Sequence, residues 1–190
     1  MEKQGALTYV KRIKAGDKDA FSWIVDRYGD MVYTLCLRML RNGEEAADAA
    51  QEVFIKVYKS LGSFQEKSRF STWIYRIAYN HCISEIRKRT RVIDLVDETP
   101  EIPDESGVMD GLELLAGEER KKYLKRALEA LPETDSVVVT LFYYEELNLE
   151  EIAGVTGLSN GNVRIRLHRA RKKLFQVLGG QLKSEIDNFV

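Results

Sequence analysis

The stretch SNGNVRIRLHRARKKL (Ser159–Leu174) holds four arginines, one histidine and two lysines, and no Asp or Glu. Guanidinium and ammonium groups at this density suit charge pairing with phosphate and bidentate hydrogen bonding to guanine edges. At 3.6 residues per turn, Arg164, Ile165, His168, Arg169 and Lys172 share one side of a helix, while Val163, Leu167, Ala170, Leu174 and Leu178 share the other. The residues just before supply the turn. Ala153 lets a second helix come close, Gly157 suits a left-handed backbone, Ser159 or Asn160 can cap, and Ile152 and Leu158 complete the contacts. The run Leu149–Lys173 therefore reads as a helix-turn-helix whose second helix fits a major groove. A solvated amphipathic helix with basic decoration is the plainer alternative, but turn chemistry, periodicity and charge agree on a DNA reader.

A second basic set lies in the first half. On a helix over about Phe70–Arg91, residues Arg69, Trp73, Arg76, Asn80, Arg87 and Arg91 fall within an arc of roughly 60°. Phe70, Ile74, Ile77, Ala78 and His81 fall towards the core. Guanidiniums that track phosphate, a ring that stacks on a base and an amide that reads a base edge suit single-stranded or distorted DNA. The helix before it points Ala46, Ala50, Val53, Phe54, Val57 and Leu61 inward and Asp48, Gln51, Glu52 and Ile55 outward. An exposed Ile ringed by acids and amides can serve as a protein-docking patch, though periodicity alone favours an ordinary surface.

Catalytic and metal chemistry find no support. His81 and His168 fall in separate predicted domains without metal-ligand spacing, and no GxSxG, P-loop or HExxH occurs. Cys36 and Cys82 form no CxxC and read as two buried free thiols. We expect no enzyme activity, no cofactor and no small-molecule substrate.

These surfaces need scaffolds. The chain has 190 residues, 44% of them hydrophobic, only three prolines and long runs of helix formers, which predicts an all-α fold. A short helix at about 6–14 ends at Gly16, and Asp17 can cap a longer one through Ile24, Tyr28, Val32, Leu35 and Met39. Asn42 and Gly43 break the chain, a third helix covers 44–61, and a polar loop holding Phe64 leads to the fourth. Residues 1–91 form one predicted domain. Residues 92–117, with Pro100, Pro103 and three glycines, form a linker, with a short helix near 108–116. Residues 118–180 form a second domain that breaks at Pro132, and 181–190 a frayed tail. The expected plan is two small helical modules on a tether. The net charge of −1 conceals segregation: Arg69–Arg91 has six basic residues against one Glu, whereas Asp94–Glu119 has ten acids and no Lys or Arg. No run of about 18 apolar residues and no signal-peptide core occur, so a cytoplasmic protein outside the membrane is expected.

With these residues in place, the chain resembles the extracytoplasmic-function (ECF) sigma factors, promoter-specificity subunits of bacterial RNA polymerase within the sigma-70 family. The likeness covers roughly 17–91 and 118–178. DAAQEVFIKVYKSLGSF (Asp48–Phe64) is similar to the family's polymerase-binding helix and following loop. FSTWIYRIAYNHCISEIRKR (Phe70–Arg89) is similar to its minus-ten helix, and LPETDSVVVTLFYYEELNLEEIAGVTGLSNGNVRIRLHRARKKL (Leu131–Leu174) to its minus-thirty-five reader.

The resemblance implies roles. Asp48, Gln51, Glu52 and Ile55, with Val53 and Phe54 in support, would meet the β′ coiled coil of core polymerase. Phe64, Arg69, Trp73, Arg76, Asn80, Arg87 and Lys88 would handle the melted minus-ten strand, the loop near Phe64 helping to capture a flipped base. Arg164, Ile165, His168, Arg169 and Lys172 would face the minus-thirty-five bases. The acidic linker would pass towards the RNA exit path by imitating RNA, and an anti-sigma protein is an expected partner. Two departures stand out: Ala49 and Ala50 replace larger apolar residues, and SNGN (Ser159–Asn162) replaces a Pro or Gly-Thr entry to the reader helix. Two other functions fit the residues: a two-domain regulator binding duplex DNA unaided, and a sigma-mimic adaptor. The first would bind tightly without polymerase; the second would fail to start transcription with it.

Overall fold

In the computed structural model, residues 2–89 and 117–188 are described. They form eight α-helices and one 3-10 turn, with no strand among the described residues. In the first module α1 spans Glu2–Lys14, α2 Ala20–Leu40, α3 Gly43–Ser60 and α4 Phe70–Arg89, with the 3-10 turn at Leu61–Ser63. In the second, α5 spans Gly117–Glu129, α6 Glu133–Tyr143, α7 Leu149–Thr156 and α8 Asn160–Asn188.

Local chemistry sets the boundaries. Asp17 Oδ1 accepts from the Ala20 amide at 3.2 Å, so it serves the start of α2 from three residues upstream, and Asp19 occupies the cap position. Helix α2 stops where Arg41 turns left-handed (φ 56°). Asn42 then caps α3 by accepting from the Glu44 and Glu45 amides, and those acids favour the positive end of the helix dipole. Asn148 and Glu151 form a reciprocal capping box at the start of α7. Gly157 (φ 74°) closes α7, and Ser159 Oγ accepts from the Asn162 amide to open α8.

The first module packs α2 against α3 and α4 around Ile24, Val32, Leu35, Val53, Val57 and Ile74. The modules are more than tethered. Helix α2 packs on α6, α4 packs on α7, and one hydrophobic interior runs through both. This explains α6, whose residues Asp135–Leu141 are all buried. A helix apolar on every side needs neighbours on every side, and α2 supplies the one the second module lacks. Arg41 seals the edge, donating from Nη2 to the Leu131 carbonyl at 2.5 Å with Glu133 3.4 Å away.

The fourth helix corrects the simple two-faced expectation. Phe70, Ile74, Ala78 and His81 are buried as expected, but so are Cys82 against α2 and Tyr75 and Tyr79 on the flank turned to the second module. The expected tail is also corrected: α8 continues to Asn188, because no helix-breaking residue follows Gly179 and Gly180. The expected short helix near 108–116 lies outside the described residues.

Candidate nucleic-acid interface

Helix α8 separates its two sides cleanly. Val163, Leu167, Ala170 and Leu178 are buried, while Arg164, Ile165 and His168 are exposed and Arg169 and Lys172 half-buried. Ile165 keeps 51% of its surface open. Its neighbours explain why only part of the basic run is free. Arg166 Nη1 binds Asp135 at 2.5 Å, and Arg171 donates from Nε to the Tyr143 hydroxyl at 2.5 Å while lying over the Phe142 and Tyr143 rings. Those two arginines hold the reader helix on α6. Arg164, Ile165 and His168 stay turned outward.

On α4, Arg76, Asn80 and Arg87 are exposed and Trp73 half-buried along one stripe. Trp73 stacks on Phe70 with ring centroids 5.6 Å apart, and Phe64 lies 5.3 Å away. Phe64 itself is 5% exposed, packed between Phe70 and Trp73. Phe64, expected among the residues that handle the minus-ten strand, is a core residue in this form: an apolar ring at the end of a short loop is worth more in the interior, and Phe64 supports Trp73 from beneath. The Lys14 ammonium, donating to the Phe64 carbonyl at 3.2 Å, pins the loop.

Lys88 lies off that stripe. It pairs with Glu85 at 2.7 Å, which holds its ammonium above the ordinary lysine range. At 100° per residue it sits about a third of a turn round from Arg76, on the His81 side facing α3. Arg91 lies outside the described residues. Arg69 carries an ion pair across the module boundary, with Nε 3.4 Å from Glu151 Oε1. Asn80 and Arg87 line a cleft of about 350 Å³ together with Thr156 and Leu158 of the helix-turn-helix.

The acidic face of α3 is open at Asp48, Gln51, Glu52 and Ile55, the last 53% exposed, while Val53 and Phe54 are core residues. Beneath it lies the imidazole of His81, buried as expected and in contact with two charged residues of α3. His81 Nδ1 lies 2.6 Å from Lys56 Nζ, and Nε2 lies 3.6 Å from Glu52 Oε2. Burial first, and the Lys56 charge second, hold the ring below the ordinary histidine range. The i,i+4 spacing of Glu52 and Lys56 on α3, facing a core-directed His on α4, was the available signal.

A helix-turn-helix with an open basic face, joined to a bundle with a second basic stripe and an acidic docking face, defines a bipartite DNA-binding transcription protein. The sequence profile of Sigma-70 region 2 matches residues 24–92, and that of Sigma-70, region 4 matches residues 121–174. The ECF RNA polymerase sigma factor SigW of Bacillus subtilis is 38% identical over 175 residues, covering 87% of this chain and 92% of that one. The RNA polymerase sigma-H factor of Pseudomonas aeruginosa is 34% identical over 176 residues, covering 89% and 91%. Two solved structures share the fold: the sigma factor RpoE with the anti-sigma factor NepR from Bartonella quintana, and CnrH with the cytosolic domain of CnrY. Their TM-scores are 0.64 and 0.62, at 20% and 22% identity, covering 84% and 91% of this chain and 96% of each. The chain belongs to the ECF sigma factors of the sigma-70 family. It is a sigma factor directing promoter-specific transcription initiation, in a family that is not enzymatic. No helix among the described residues is long and apolar enough to cross a membrane.

Proposed function

We propose that this sigma factor works through three separate surfaces. Asp48, Gln51, Glu52 and Ile55 dock on core polymerase, Val53 and Phe54 stiffening them from within. Arg69, Trp73, Arg76, Asn80 and Arg87 handle the melted minus-ten strand, and Arg164, Ile165, His168, Arg169 and Lys172 read the minus-thirty-five element. The observation that carries the reading is the division of labour on α8: Arg166 and Arg171 are engaged with α6, leaving Arg164 and His168 turned outward beside the exposed Ile165.

The packed arrangement is then a resting form. A globule of this length is about 40 Å across. Two promoter elements centred some 25 base pairs apart are roughly 85 Å apart at about 3.4 Å per pair. The 27 residues between Arg89 and Gly117 can span about 90 Å when extended, so the chain is long enough for the modules to part. Each module alone engages few phosphates and binds weakly; mounting both on one enzyme raises their effective concentration and sets a spacing rule.

An anti-sigma protein is the further partner proposed here. RpoE and CnrH, which share this fold, were each solved with a second protein bound. Run-off transcription with purified core polymerase, followed by mapping of transcript starts, tests the whole reading. Specific starts that depend on both elements are expected. Tight, specific duplex binding by the free protein, without polymerase-dependent starts, would favour an ordinary regulator instead.

A further inference from the structure

We infer that His81 is a positioning residue for the α3 docking face, bridging Lys56 and Glu52 through its two ring nitrogens; this rests on the polymerase-docking reading of that face. The geometry fixes the protons. An ammonium has only donors, so Lys56 Nζ, 2.6 Å from Nδ1, donates to it. Nδ1 is then the acceptor and the proton sits on Nε2, which lies 3.6 Å from the Glu52 carboxylate, an electrostatic contact longer than a hydrogen bond. The imidazole is neutral and polarised from a cation at one end to an anion at the other.

The burial pattern gives this bridge a consequence. His81's side chain is 2% exposed, whereas Glu52's is 63% exposed. A long carboxylate on an open helix face samples several rotamers, and an incoming partner must freeze it at a cost in conformational entropy. A fixed donor beneath it removes part of that cost before the partner arrives. Lys56 is held by the other nitrogen, which keeps its charge beside Glu52 at the i+4 position without collapsing onto it. Glu85 and Lys88, from α4 itself, are the other charges within electrostatic reach of the ring. The partner surface this pre-set pair fits is basic with an apolar centre, matching Glu52 and Asp48 around Ile55.

The test is a double-mutant cycle on binding of the full chain to purified core polymerase, measured by fluorescence anisotropy. H81L keeps an apolar side chain of comparable bulk and loses both ring contacts; H81Q keeps one acceptor and one donor. We expect H81L to weaken binding at least about fivefold, H81Q to restore most of it, and E52Q to add little once H81L is present, since coupled residues are non-additive. Ring-nitrogen NMR shifts of the free protein should show the proton on Nε2. If E52Q weakens binding but H81L and H81Q do not, or if H81L and E52Q add independently at matched thermal stability, the positioning role is wrong. If E52Q and D48N both leave binding unchanged, the docking reading itself fails.

Discussion

Arg69 Nε lies 3.4 Å from Glu151 Oε1, while Glu151 Oε2 accepts from the Asn148 amide at 3.1 Å. One carboxylate thus completes the capping box of α7 and holds Arg69, the first residue proposed to meet the minus-ten strand. The two jobs separate by substitution. Arg69→Ala removes a half-exposed ion pair, worth about 0.2–1 kcal/mol. Glu151→Ala also removes the reciprocal cap and should cost about 1 kcal/mol more. Urea denaturation of both variants checks this, and equal losses would show that the cap contributes nothing.

Arg164 and Arg171 are both exposed on α8, yet only Arg171 is tied to α6, so the proposed function gives them different duties. Arg164→Ala should leave stability within about 0.5 kcal/mol and cost about 1–3 kcal/mol of base discrimination if it pairs with a guanine. Arg171→Ala loses the Tyr143 bond and its place over two rings, and should destabilise by about 1 kcal/mol while promoter preference stays the same. Transcription from promoters with single-base changes upstream, paired with thermal melts, distinguishes the two. A loss of discrimination in R171A alone would reverse the assignment.

How far the residues alone disclose this protein differs between its surfaces. Helix α8 was legible because a strict 3.6 period, a turn glycine and an acid-free run coincide at Ser159–Leu174. The flank of α4 was not. Tyr75 and Tyr79 are amphipathic residues at i,i+4 spacing, equally at home at a surface, and only the second module packing over them decides that they are buried. Lys88 and Arg87 are neighbours in sequence, but 100° of helix separates them, and only that angle places Lys88 on the His81 side. Phe64 was assigned from its loop, but a loop can turn one side chain inward, and this one does.

Cys36 and Cys82 are fully buried with their sulfurs 3.6 Å apart. The thiol of Cys82 donates to Cys36; that bond and then burial raise Cys82 well above the ordinary thiol range. A group that stays protonated and inaccessible is a poor nucleophile. Neither thiol should react with iodoacetamide in the native protein at pH 7.5, and both should react in denaturant. Mass spectrometry after a timed exposure counts the adducts; rapid native labelling would mean that the α2–α4 core opens readily.

Asp135 and Arg166 form the pair that seats the reader helix, with side chains 9% and 21% exposed. A pair this enclosed is costly to break from one side, because the abandoned partner stays buried and charged. Asp135→Ala should therefore destabilise by about 3 kcal/mol, whereas D135A combined with R166M should recover at least about half of that loss. Chemical denaturation of the three proteins gives the answer. Additive losses would show that Arg166 holds α8 by packing and not by charge.

The buried imidazole makes a last, pH-dependent case. Burial and then Lys56 lower the affinity of His81 for a proton in the folded protein, against about 6.5 in the unfolded chain. The unfolded state therefore binds more protons as pH falls, so stability from this group is complete above about 6.5 and declines below it. Protonation would also make both ring nitrogens donors, which expels Lys56 while drawing Glu52 closer. His81→Gln has no such proton to take up, so its melting temperature should fall less than wild type between pH 7.5 and 5.5. Paired thermal melts at those two values decide the matter, and parallel falls in the two proteins would mean that His81 does not titrate differently in the folded chain.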